Sequence, residues 1–307
     1  MSTNTVASPR LLHMENVYQG YGEKIVLDNI DLSVATGEFV AVVGPSGCGK
    51  STLLRLVIGQ EHALSGTILL DNQPIRHPTR AVGIVYQNYS LFPNLSALDN
   101  VLAGHRLRTW PRPIGKVPRK TREKAEHYLE RAGMADHIRK YPHQLSGGQQ
   151  QRVAITQALM QGPKVLCMDE PFSALDPGTR EDMQVFLLEL WEALGMTVFF
   201  VTHDLEEATY LSTRLLALSQ YYSDDRGNGS EVKRGAKIVI DKQLRAVGQA
   251  LSPDVKKSAA MGTLIQWVRA TAYNPDDRLH AREFALTHPD SWHTLTPEED
   301  TTMPHTA

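Results

Sequence analysis

Gly44-Pro45-Ser46-Gly47-Cys48-Gly49-Lys50-Ser51 sets three glycines, a lysine and a hydroxyl residue at the spacing of a phosphate-binding loop. Glycines let backbone N–H groups curl around phosphate oxygens, and a helix starting at the end of the loop adds the positive end of its dipole. In that chemistry Lys50 reaches the β- and γ-phosphates, and the Ser51 hydroxyl ligates Mg²⁺. A second constellation is Val165-Leu166-Cys167-Met168-Asp169-Glu170, an apolar run closing on two carboxylates. Asp169 suits Mg²⁺ held through its hydration shell, and Glu170 suits polarisation of an attacking water. Alone, such a strand end is merely solvated. Beside a phosphate loop it gains the metal reading.

The elements that must position these groups can be read from periodicity. Phe39-Val40-Ala41-Val42-Val43 is a continuous apolar run, suited to a parallel strand covered on both faces, and it feeds the glycine loop. The stretch 50–58 then reads as a helix. Ile30-Asp31-Leu32-Ser33-Val34 alternates, as a half-buried antiparallel strand does. Residues 66–71, 82–86, 165–168 and 198–201 are further strands. From Ser96, paired with Asp99 as a helix cap, the pattern turns helical through 120–132 and 149–161. Another helix fills 180–194. The fold class is therefore α/β, a mixed sheet with an antiparallel β subdomain and a helical insertion at about 96–160. A C-terminal α+β extension follows at 219–307. There, 219–230 reads as a loop, 237–240 as a short strand, 263–272 as a helix near Trp267, and 296–307 as a disordered tail.

A phosphate loop with an Asp-Glu strand end also fits a kinase or a GTPase. Leu145-Ser146-Gly147-Gly148-Gln149 narrows the choice, because here the sequence resembles the ATP-binding cassette (ABC) family over residues 11–218. The same residues also form a local capping box, Ser146 with Gln149, and a helix N-terminus with free N–H groups is what a γ-phosphate seeks. The resemblance implies a P-loop NTPase core. It further implies that Gln87 contacts Mg²⁺ and water, that Ser173-Ala174-Leu175-Asp176 crosses a dimer interface, and that His203 holds the γ-phosphate. Tyr21 resembles the aromatic residue that stacks on adenine, with Tyr18 as the second candidate. The implied nucleotide-binding set is Tyr21, Gly44 to Ser51 inclusive, Thr52, Ser146, Gly147, Gly148, Gln149 and Asp176. Catalysis falls to Glu170, His203, Gln87 and Lys50, and metal binding to Ser51, Gln87 and Asp169. ATP and Mg²⁺ are the implied cofactors.

Asp169-Glu170-Pro171-Phe172-Ser173 is more like importer subunits, and 75–93 is most like the nitrate, sulfonate and taurine branch. The implied partners are a second copy or a related ABC subunit, membrane permease subunits and, indirectly, a substrate-binding protein. A non-transport cassette ATPase and an exporter subunit are the alternatives within the family. A net charge of -2 argues against a nucleic-acid binder relying on overall positive charge. No apolar run approaches the roughly 20 residues of a membrane helix, and the first residues lack a signal-peptide pattern. The expected location is the cytoplasmic face of the inner membrane, reached through the permease. Cys48 and Cys167 fall in no metal-ligand spacing, and a disulfide is not expected. Cys48, inside the loop, is expected to be exposed, so that alkylating it blocks ATP binding.

Overall fold

A run with no polar residue can only be stable where both faces of its strand are covered. β1 (Arg10–Tyr21), β2 (Lys24–Ala35) and β3 (Phe39–Val43) follow one another along the chain, and all five β3 residues are buried. This computed structural model describes residues 10–108, 117–226, 234–247 and 258–294. The chain forms two units, one of residues 1–78 with 199–307 and the other of residues 79–198.

In the first unit, β1 and β2 pair antiparallel, and β4 (Ser65–Leu70) and β5 (Gln73–Pro74) extend that sheet in the order β2-β1-β4-β5. The sequence reading missed β1. Its register shifts repeatedly against β2, and Asn16 and Asn29 sit at φ 51° and 53°, so no clean alternation survives. Helix α1 (Lys50–Ile58) follows β3 through the glycine loop and ends on Gly59 in the left-handed region. In the second unit, β6 (Val82–Val85) lies parallel to β7 (Val165–Asp169). Between them in sequence come α2 (Ala97–Arg108), α3 (Arg119–Arg131) and α4 (Gly147–Leu159); α5 (Pro177–Leu194) follows β7. The Ser96 cap is present, its Oγ accepting the Asp99 N–H at 3.1 Å and donating to the Asp99 carboxylate at 2.8 Å.

β8 (Thr197–Val201) carries the chain back to the first unit. There α6 (Leu205–Leu211), β9 (Arg214–Ser219), β10 (Tyr222–Ser223), β11 (Lys237–Gln243), α7 (Ala259–Tyr273), β12 (Leu279–His280) and β13 (Ala285–Leu286) complete the described chain. β9 is parallel to β3 and antiparallel to β11, and β11 is parallel to β13, which makes the sheet mixed. β10 falls within the stretch read as a loop, while the tail at 296–307 lies outside the described residues. Among the described residues no helix is long and apolar enough to cross a membrane.

The alternating stretch of β2 is buried on both faces, not one. Asp31 and Ser33 are 6% and 1% exposed. The cover comes from the far end of the chain. Asp31 accepts the backbone N–H of Thr294 at 2.7 Å, Trp292 stacks on His13, and His288 meets Glu38 at 3.2 Å. Arg214 ties the same face to the mixed sheet. Its guanidinium makes two 2.7 Å bonds to Asp241 and donates to the Ser33 carbonyl and to Glu38. Burial works against ionisation of Glu38, but the bond from His288 and the charge of Arg214 outweigh it and hold the carboxyl below its ordinary range.

Candidate nucleotide site

The first unit supplies the phosphate loop. At Gly44 the backbone runs at φ +150°, and a Cβ would lie 2.2 Å from the Leu218 carbonyl oxygen and 2.8 Å from Cys48 Sγ. At Gly49, φ is +99° and a Cβ would press on Leu27 and Val26 at 2.9 Å. Only glycine fits either position, so the close backbone path that a phosphate cradle needs is enforced sterically. Lys50 Nζ donates to the Gly44 and Pro45 carbonyls at 2.8 and 3.1 Å. Ser46 and Gly47 are exposed, while Ser51 is half-buried and Thr52 buried at the start of α1.

Cys48 corrects the sequence expectation. It is 1% exposed, because its side chain turns inward against Gly44. Burial pushes its thiol up, with Lys50 opposing in part, so it is neither reachable nor ionised enough to alkylate readily. Cys167 is also a buried free thiol.

Tyr21 ends β1 with 48% of its surface exposed. Its hydroxyl donates to Glu61 at 2.5 Å and accepts from Arg55 at 3.1 Å. Glu61 resists the cost of its partial burial through hydrogen bonds from Tyr21, Gln19 and Arg55, which hold its carboxyl low. The ring is therefore held at its hydroxyl end and open elsewhere. Tyr18 is half-buried, and its carbonyl accepts from the Leu64 N–H. His203 is exposed just beyond β8 and ahead of the Asp204 cap of α6.

In the second unit, taken by itself, lie the carboxylates and the capped helix. Asp169 closes β7, and Glu170 follows, half-buried, at φ +46°. A left-handed glutamate costs about 1–2 kcal/mol, and the turn is secured by Ser173, whose N–H and hydroxyl both donate to the Glu170 carbonyl. Ser146 and Gln149 form the reciprocal capping box of α4: the Gln149 N–H donates to Ser146 Oγ at 3.3 Å and the Ser146 N–H to Gln149 Oε1 at 3.1 Å. Asp176 caps α5 by accepting the Thr179 N–H. A Cβ at Gly148 would strike Thr179 at 2.4 Å, and one at Gly147 would crowd Tyr89 and Leu175. Gln87 is exposed after β6. The loop beyond it is pinned by buried Asn100, whose amide bonds Phe92, Leu95 and Ser96.

A family model described as "ABC transporter" matches residues 27–173. The nitrate import ATP-binding protein NrtD of Synechocystis is 43% identical over 64% of this chain and 72% of its own length. The chain belongs to the ABC transporter ATP-binding family. The spermidine/putrescine import ATP-binding protein PotA of Marinobacter nauticus is 45% identical over 72% of this chain. This chain spans only about half the length of several such relatives, 59% in that case. A solved dimeric ATP-binding cassette, MJ0796 in a post-hydrolysis state bound to ADP and Pi, matches with a TM-score of 0.61. It is 31% identical, over 77% of this chain and all of that one. The P-loop NTPase fold of an ABC cassette is thereby shown.

Within this ABC cassette, sequence reasoning overlooked the groups that hold the named residues. Arg55 and Glu61 fix Tyr21, Tyr89 and Thr179 crowd Gly147 and Gly148, and Tyr273 bonds the first loop glycine. Only Tyr89, within the 75–93 stretch, lies in a sequence pattern already noted, and contact in space reveals the roles of all of them.

Proposed function

We propose that the chain binds and hydrolyses ATP as the motor subunit of an ABC importer. The observation that carries this is the presence, in one family member, of a sterically enforced phosphate loop, an Asp-Glu strand end and a capped signature helix. Lys50 exchanges its bonds to loop carbonyls for phosphate oxygens. Glu170 orients and deprotonates the attacking water, and His203 with Lys50 stabilises charge on the phosphoryl group. The Ser51 hydroxyl and the Asp169 carboxylate, with Gln87, are oxygen donors of the hard kind that suits Mg²⁺. When bound, that ion neutralises charge between the phosphates.

Two copies close on two nucleotides, each between one copy's phosphate loop and the other's Ser146, Gly147 and Gly148. Asp176 stands at the crossing. Hydrolysis of this kind is mostly positioning, so closure assembles the catalyst. Permease subunits at the cytoplasmic face of the inner membrane receive the motion, and a binding protein delivers cargo to them. Relatives named for nitrate import and for spermidine/putrescine import both support the import direction. The proposed cargo is a small anion or organic solute, nitrate, sulfonate or taurine among them.

The purified chain should release phosphate from ATP in the presence of Mg²⁺ and stop when the ion is chelated. Absence of hydrolysis, even with its permease in a vesicle, contradicts the reading. Tyr21→Ala tests the adenine contact. Base stacking on an aromatic ring is worth about 1–3 kcal/mol, so the Kd for ATP should rise about fivefold to 150-fold while Tyr21→Trp retains affinity. Titration with a fluorescent ATP analogue checks both.

A further inference from the structure

The backbone of Gly44 is held from two sides. Its carbonyl accepts from Lys50, and its N–H donates to the hydroxyl of Tyr273 at 2.9 Å. Tyr273 is the last residue of α7, which follows residues 11–218, the stretch whose motifs carry the sequence resemblance. Burial pushes its phenol up to about 12, so the group at Gly44 is a neutral hydroxyl. The hydroxyl cannot drift. Ser219 Oγ, at the end of β9, donates to the Ala272 carbonyl at 2.7 Å. Val268 and Ala272 are buried in one cluster with Ala41 and Val43 of β3 and with Leu215 and Ala217 of β9. The helix thus packs on β9 and β11, in one cluster with the strand that feeds the loop, and its last residue bonds the loop's first amide.

We infer that Tyr273 is a positioning residue for nucleotide binding: through the Gly44 amide it sets the conformation in which the phosphate loop and Lys50 meet ATP. This rests on the ATP-binding reading above. Without the hydroxyl, the Gly44 N–H loses its acceptor beside a close-packed carbonyl and thiol. The loop then relaxes to solvate it, and ATP binding must restore the displaced shape. Leaving a buried donor unpaired corresponds to about a fivefold to 150-fold change in an equilibrium.

The test compares Tyr273→Phe with Tyr222→Phe. Both remove a hydroxyl from the C-terminal extension, but that of Tyr222 bonds Asp28 and not the loop. Both variants are expected to melt at lower temperature than the unsubstituted chain. Titrated with ATP well below those temperatures, Tyr273→Phe should show a Kd, and a KM for ATP, raised about fivefold to 150-fold. Its kcat at saturating ATP should stay within about twofold, and Tyr222→Phe should keep its affinity. An unchanged Kd in Tyr273→Phe, or the same loss in Tyr222→Phe, overturns the inference. Failure of the unsubstituted chain to bind ATP overturns instead the functional reading beneath it.

Discussion

Glu170→Gln should bind ATP, collect as a dimer and hydrolyse it about 10²- to 10⁴-fold more slowly than the unsubstituted chain. The substitution keeps the shape of the side chain at a position whose backbone is held at φ +46°, so the turn after β7 survives. In the proposed mechanism, what it removes is the basic oxygen that takes the proton of the attacking water. Binding does not need that oxygen, whereas turnover does. Phosphate release and light scattering after gel filtration, each with and without ATP, separate the two effects. A variant that remains monomeric with ATP and turns it over normally removes Glu170 from the proposed role.

The second large effect is on stability. Arg214→Ala should cost about 3–5 kcal/mol, the usual penalty for stripping one partner from a buried ion pair. Arg214 is 1% exposed and serves Asp241, Glu38 and the Ser33 carbonyl together, so its loss leaves two carboxylates short of a cation. Urea unfolding followed by circular dichroism measures the change. A loss under about 1 kcal/mol, typical of an exposed pair, contradicts the account.

The pH dependence follows from Glu38. Its carboxyl is held below the ordinary range in the folded chain, so its contribution is present above the unfolded value and lost as pH falls through the lower folded value. Removing Arg214 takes away one cause of that depression. Below about pH 4, near the ordinary carboxylate pKa, the variant's melting temperature should therefore fall less steeply than that of the parent.

The parts of this molecule that were legible in its sequence are those whose physics is local. The glycine loop, the 50–58 helix, the Ser96–Asp99 cap and the Ser146–Gln149 box each depend on residues within a few positions of one another, and each is present. The failures share the opposite property. Asp31 and Ser33 read as solvent-facing because the groups that bond them, Thr294 and Arg214, lie 263 and 181 residues away. Cys48 read as exposed because a loop residue usually is, yet its side chain fills the space that Gly44 leaves beside Leu218. Tyr273 lies 229 positions from the amide it bonds. Burial and long-range pairing are set by which segments meet, and a single periodic stretch carries no record of that.

The claim on which the functional account depends is that one chain cannot finish the cage around its own γ-phosphate. A crystal structure of Glu170→Gln grown with ATP and Mg²⁺ tests it most directly. The account predicts two copies facing each other, with the Ser146 hydroxyl of one within about 2.7–3.2 Å of a γ-phosphate oxygen bound at the other's Lys50. A nucleotide-loaded chain standing alone, its triphosphate remote from any Ser146, would contradict it.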